Sequence, residues 1–278
     1  MEIVARRLDT QLAGESIESA AAPGINALKT FDPPLQALEG RTVDGVRRRG
    51  KLVMIDAGGL TLLMHLMSAG RLQVFDKRAS PRDRTARVLL RMPTPERPAR
   101  ELRMREFGTR QRAWVKLLTP EALEADAMLR GLGPEAWPDP PPLGAALDAP
   151  RPLHSLLRDQ GVIAGIGRTW VDDILHAARL SPFKRGDDLS DEEAAALREA
   201  AAGELGRVIE HYEQTVGAVL PEKFPKPTRV HAHQGEPCPR CETVLEAVFY
   251  EDYVMTYCPH CQTEGRVLKD RRLSRLLK

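Results

Sequence analysis

The chain has 278 residues, 42% hydrophobic and 29% charged, with a net charge of +2. That length suits two or three small domains, and the balance is ordinary for a soluble globular protein, so the whole-chain charge announces no nucleic-acid partner. No apolar run is long enough to cross a bilayer and no basic-then-apolar leader opens the chain, which predicts a cytoplasmic protein with no membrane partner.

In chain order, residues 2–12 read as a short amphipathic helix, because Val4, Leu8 and Leu12 recur every four residues with Ile3 beside them. From about 40 to 118 the texture changes to short strands: Thr42–Val46, Leu52–Asp56, Leu60–Leu66, Arg71–Phe75, Ala86–Arg91, Glu101–Arg105 and Ala113–Leu117. Gly, Pro and charged turns separate them, as in a sandwich or barrel. The first of these runs lies in a basic stripe, with five basic residues and one acid between Arg41 and Lys51. Such local stripes matter more for phosphate binding than the net sum.

Residues 138–152 hold six prolines and predict a linker without regular helix. Helices are expected over Leu153–Gln160 and Thr169–Ala178, with a glycine-rich turn at Gly161–Gly167 between them. Ser190-Asp-Glu-Glu193 is a capping box that should start a long helix running to about Val216.

The last forty-one residues hold all four cysteines, as Cys238-Pro-Arg-Cys241 and, sixteen residues on, Cys258-Pro-His-Cys261. Two CxxC knuckles at this separation place four thiolates around one Zn²⁺. Thr243–Phe249 and Val254–Tyr257 read as a hairpin between them. Four thiolates leave no open coordination position, so the single Zn²⁺ should be structural. His231, His233 and His260 are the residues that could compete as ligands. With every cysteine in this constellation none remains for a disulfide framework, which suits a reducing compartment. The tail Gln262–Lys278 carries six basic residues and two acids. Spacing alone leaves nucleic-acid binding and protein docking both open for this module.

Five motifs in register along nearly the whole chain resemble the formamidopyrimidine-DNA glycosylase / endonuclease VIII family. They are Arg49-Gly-Lys51, His65-Leu-Met-Ser-Ala-Gly70, Leu132-Gly-Pro-Glu135, the run from Asp159 through Gly165-Ile-Gly167 to Trp170-Val-Asp-Asp-Ile-Leu175, and Tyr257-Cys-Pro-His-Cys-Gln262. The resemblance implies an α+β multidomain fold: an N-terminal helix and β-sandwich (1–120), a helix-two-turn-helix domain (121–230) and a zinc-finger hairpin (231–278). It also implies a monomer that excises damaged bases from double-stranded DNA in a cleft between its lobes and cleaves the abasic strand, nucleoid-associated if the source is bacterial. On this reading Lys51 is catalytic and binds DNA. His65, Met67, Phe107, Gly165, Gly167, Arg168, Arg266 and Arg271 also face DNA, with Met67 and Phe107 filling the gap that a flipped base leaves.

Departures from the family pattern are equally specific. Members open with Pro-Glu, whose proline amine attacks the sugar, whereas this chain opens Met1-Glu-Ile-Val, which aligns about five residues further in. Glu2 is then not the catalytic glutamate, and the expectation is that the true start lies upstream. A truly shortened chain would instead bind damaged DNA without cutting it; a zinc-stapled protein scaffold is the alternative of another class. Arg168 stands where Asn is usual, Glu106 where Arg is common, and Tyr253 where the zinc finger has a DNA-contacting Arg.

Overall fold

A computed structural model describes residues 1–24, 26–250 and 253–268. It divides into two compact units, Met1–Arg130 with Tyr212–Phe224, and Gly131–His211 with Pro225–Lys278. The stretch 121–130 therefore folds with the first unit, and the cysteine module lies within the second.

The first unit begins with helix α1 (Glu2–Leu12), which buries Ile3, Val4, Leu8 and Leu12 as its periodicity requires. Polar side chains of α1 fix its seat on the next strands. Asp9 Oδ1 accepts the Val46 amide at 2.7 Å, and Glu2 accepts from Arg48 Nε at 2.6 Å and Arg6 Nε at 2.8 Å. Glu2 thus works as an ion-pair anchor.

All seven strands expected between 40 and 118 form: β2 (Val43–Arg49), β3 (Leu52–Ala57), β4 (Leu60–His65), β5 (Gly70–Phe75), β6 (Ala86–Arg91), β7 (Glu101–Glu106) and β8 (Trp114–Leu118). A further short strand, β1 (Ser19–Ala21), precedes them and pairs with β6 at an edge. Its Ser-Ala-Ala sequence carries no strand signature. The strands make two antiparallel sheets, ordered β1-β6-β7-β5 and β2-β3-β4-β8. β3 and β4 are buried at successive residues, so both faces of their sheet are covered. Two short helices, α2 (Pro120–Ala125) and α3 (Ala127–Arg130), follow β8. The segment 212–224 is tied to this unit by polar contacts: Glu213 pairs with Arg6 and Arg7, and Gln73 Nε2 donates to the Leu220 carbonyl at 2.9 Å.

The second unit is mainly helical. The proline-rich stretch departs from expectation, because residues 143–147 form helix α4 (Leu143–Leu147) and its two leucines are at most 1% exposed in the core. The run Pro140–Pro142 ends at the helix N-cap, Pro142, where a missing N–H costs nothing, and Pro150 and Pro152 lie beyond the helix. The helix expected over Leu153–Gln160 stops early, as α5 (Leu153–Leu156), because the Asp159 carboxylate and carbonyl take up the amides of the next turn. Helix α6 (Arg168–Ala177) and the long α7 (Asp191–Thr215) follow. Both arms of the capping box form: Glu193 N donates to Ser190 Oγ at 3.2 Å, and Ser190 N to Glu193 Oε2 at 2.9 Å. The cysteine module has hairpin strands β9 (Glu246–Phe249) and β10 (Val254–Tyr257) and a terminal turn of helix, α8 (Pro259–Thr263).

Candidate metal centre and nucleic-acid interface

The four cysteine sulfurs converge, all within 4.8 Å of one another. Sulfurs 2.3 Å from one Zn²⁺ in a tetrahedron stand about 3.8 Å apart. The closest separations are 3.4 Å for Cys241–Cys261, 3.5 Å for Cys241–Cys258 and 3.9 Å for Cys238–Cys261. The donor set therefore fits one tetrahedral Zn²⁺. The knuckles turn backbone amides onto sulfur, Arg240 N to Cys238 at 3.5 Å and Cys261 N to Cys258 at 3.4 Å. Burial pushes the Cys258 and Cys261 thiols up, whereas Thr243 holds Cys241 down to about 6. Four adjacent thiolates without a cation repel one another, and a dication supplies the compensating charge.

None of the three histidines that could compete as ligands joins this cluster. His231 Nδ1 sits 2.7 Å from Asp172, His233 Nδ1 sits 2.9 Å from Glu236, and His260 is exposed. Sequence reasoning missed the histidine that does touch it: His176 Nε2 lies 3.2 Å from Cys238 Sγ. Burial, then Arg240, lowers His176 to about 4, so at neutral pH it offers the thiolate a neutral ring.

Helix α6 holds this module through two adjacent aspartates, each 2% exposed. Asp173 accepts the amides of Arg229, Val230 and His231 at 2.8–3.0 Å. Asp172 accepts from the Thr256 amide at 3.1 Å and faces both His231 and His154, the latter at 3.3 Å. Burial alone would raise the Asp172 carboxyl; the two histidines and the Thr256 amide hold it below its ordinary value. Arg240 donates to the His176 and Ala177 carbonyls, closing the C-terminal end of α6. The sequence signal for this was two neighbouring acids on a helix otherwise bound for the core.

The glycine turn before α6 is built from inside. Gln160 Oε1 accepts the Gly165 amide at 3.0 Å, and Asp159 Oδ1 accepts the Gly161 amide at 3.1 Å. Those two amides are therefore engaged within the turn. Gly165 takes φ 103°, which favours glycine, and Gly167 is the N-cap of α6. Leu132-Gly-Pro-Glu135 packs on the same turn: a Cβ at Gly133 would stand 2.5 Å from the Val162 carbonyl oxygen. Arg168, the first residue of α6, is exposed with its guanidinium 5.6 Å from the Tyr253 ring. Arg266 is exposed and paired with Glu264 at 3.1 Å, while Arg271 lies outside the described residues.

In the first unit, Lys51 stands in the two-residue turn joining β2 and β3, just ahead of the strand expected to begin at Leu52. Gly50 supplies the positive φ, 56°, that this tight reversal needs. Leu52 pairs with His65, so the Lys51 turn and the end of β4 share one end of the sheet. His65 stacks on Trp114 at 5.7 Å, and its Nδ1 accepts the Met67 amide at 2.9 Å. Burial, then the Lys51 charge, lowers the His65 pKa, which keeps the ring neutral and able to accept. Met67 takes φ 52°, and Gly70 closes the turn, since a Cβ there would stand 2.4 Å from the Leu66 carbonyl oxygen. The result is a rigid turn that shows Met67 to solvent at 45% exposure. Phe107 is also exposed, at 36%, on a loop closed by buried Glu106, whose carboxylate accepts the Arg112 and Ala113 amides at 2.7 and 2.9 Å. Glu106 thus faces inward, and Arg105 covers the Phe107 ring at 4.7 Å.

Comparison with known proteins agrees with this geometry. A profile of the "Formamidopyrimidine-DNA glycosylase N-terminal domain" matches residues 1–110. A protein of Thermus thermophilus named formamidopyrimidine-DNA glycosylase is 34% identical over 241 residues, covering 82% of this chain and 85% of its own length. One of Streptococcus thermophilus with the same name is 27% identical over 274 residues, covering 94% and 97%. The fold matches that of the Lactococcus lactis formamidopyrimidine-DNA glycosylase solved on DNA containing an abasic site, with a TM-score of 0.79 at 21% identity over 94% of this chain and 97% of that one. The two-unit architecture, the cysteine cluster and a relative at this identity over most of both lengths place the chain in the formamidopyrimidine-DNA glycosylase family.

Proposed function

We propose that this chain is a base-excision repair DNA glycosylase with abasic-site lyase activity, acting as a monomer on double-stranded DNA that carries an oxidised base or an abasic site. The observation that carries the reading is the Lys51–His65–Met67 end of the first unit's sheet. Excision requires a base to leave the stack, and the gap is filled by an inserted side chain. An exposed Met67 on a turn that cannot relax, held by neutral His65 and closed by Gly70, suits that insertion. Lys51 at the same end offers an ammonium to a phosphate beside the lesion or to the abasic sugar. Phe107 serves as a second apolar wedge. In the second unit, Gly165 and Gly167 shape the approach to α6, Arg168 contacts the DNA backbone, and the Zn²⁺ held by Cys238, Cys241, Cys258 and Cys261 keeps the hairpin rigid. Arg266 adds positive charge near it. A DNA substrate makes the protein nucleoid-associated if its source is bacterial, and no described helix is long and apolar enough to cross a membrane.

The test is a panel of duplexes carrying one oxidised purine, one oxidised pyrimidine or one abasic site, read for base release, strand cleavage and a borohydride-trapped adduct. The expected result, from the chain preceded by the family's Pro-Glu opening, is release or cleavage on at least one duplex together with a trapped covalent adduct on abasic DNA. Binding of that Pro-Glu form to abasic duplex with no release, cleavage or adduct would overturn the enzymatic reading.

A further inference from the structure

Five arginines of the second unit are tied to acids. Arg151, Arg185, Arg198, Arg207 and Arg229 each meet a carboxylate at 3.1 Å or less. Arg158 does not: among the described residues its guanidinium meets no carboxylate, and its Cζ stands over the Tyr253 ring, 4.2 Å from the centroid. It is also half-buried, so the protein restrains this cation with an aromatic face where its neighbours are restrained by acids.

The stack beneath it is continuous. Tyr253 lies parallel to Tyr250 at 4.3 Å and to His154 at 5.6 Å, and His154 stands 3.3 Å from the buried Asp172. Tyr253 thus stacks on a histidine that faces the carboxylate fastening the zinc module to α6. Arg168 approaches this ring too, at 5.6 Å. A guanidinium stacked on a ring uses its face and leaves its N–H donors in plane at the edge, pre-set for the forked geometry of a phosphate. Because the side chain is already ordered, little rotamer entropy remains to be lost on binding.

We propose that Arg158 is a ligand for a DNA backbone phosphate and that Tyr253 is the positioning residue that holds it. The inference rests on the DNA-binding reading above and adds two residues to it. It also explains how an aromatic side chain on the zinc hairpin serves a basic interface: the ring gathers a cation supplied by the segment after α5.

The experiment is fluorescence anisotropy of the full-length zinc-loaded protein on a duplex bearing a tetrahydrofuran abasic analogue and on its undamaged counterpart, across a salt series. Arg158→Ala should weaken binding about tenfold and lower the slope of log K against log salt by about 1. Tyr253→Leu should weaken binding about two- to fivefold, the scale of an exposed cation–π contact. Tyr253→Phe should bind as the unsubstituted protein does, because only the ring is used. The cost of Tyr253→Leu should shrink once Arg158 is replaced, and zinc content should stay constant throughout. Unchanged affinity and salt slope in Arg158→Ala would overturn the proposal. So would a Tyr253→Leu cost that is as large without Arg158 as with it, which marks a merely structural ring. Failure of the unsubstituted protein to bind either duplex would overturn the DNA-binding reading itself, and the inference with it.

Discussion

The two units build their functional surfaces by opposite means. At the Lys51–Met67 end of the first unit, a few backbone constraints hold exposed side chains over a sheet that is already complete. Gly50, Gly70 and one histidine acceptor do the positioning, and the residues on show contribute almost nothing to the core. In the second unit the surface is inseparable from what holds the fold. Four thiolates, two buried aspartates and His176 lie within one connected set of contacts. A surface built on turns can lose function without losing stability, whereas one built on a buried polar network loses both together.

Removing the metal should separate the units most sharply. Chelation, or Cys258→Ser, should unfold the cysteine module and abolish DNA binding, because structural Zn²⁺ contributes on the order of 10 kcal/mol to such modules. Hydrogen exchange should then rise sharply over 230–263 and stay low over β3 and β4; equal exposure of both would break the comparison. Acid should act in the same direction, since Zn²⁺ needs thiolates and protons compete for them.

Asp172→Ala is expected to come next. It leaves Thr256 N and two histidines without their buried partner and should cost about 3 kcal/mol, the scale of breaking a buried pair. The sign of its pH dependence follows from the depressed carboxyl: the stabilisation is complete above the unfolded value near 3.8 and is lost as pH falls below it. Denaturant midpoints of the parent and the alanine variant should therefore converge in acid; a gap that stays constant to low pH would remove Asp172 from the network.

The smallest stability effects belong to the first unit. Met67→Ala and Lys51→Ala should each leave the unfolding midpoint within about 0.5 kcal/mol of the parent, as exposed substitutions do, while lowering excision at least tenfold. A large stability loss would place Met67 in the core after all. His65 links the two readouts. Its pKa is lowered in the fold, so its contribution is complete above the unfolded value near 6.5 and declines as pH falls below it. Excision should fall at lower pH, as the folded ring itself takes up a proton and the Met67 turn loses its acceptor, and His65→Asn, which keeps an acceptor, should flatten that dependence.

Much of this was open to a reader of the chain alone. Periodicity placed α1 and seven strands, turn chemistry placed the capping box, and the CxxC spacing placed the metal centre, because each is a local rule with a short range along the sequence. Tertiary packing decided the rest. Leu143 and Leu147 became core residues although proline surrounds them, since burial of two leucines outweighs a weak local preference. Lys51 took its place in a turn, where Gly50 allowed a tight reversal. Asp172, Asp173, His176 and Arg158 gained their roles from partners 56 to 95 residues away, Asp173 with Arg229, Asp172 with Thr256, His176 with Cys238 and Arg158 with Tyr253. Sequence determined which groups could bind metal and phosphate; the three-dimensional fold decided which were buried, which were held, and which still faced outward, because desolvation and contact depend on neighbours that the local sequence does not contain.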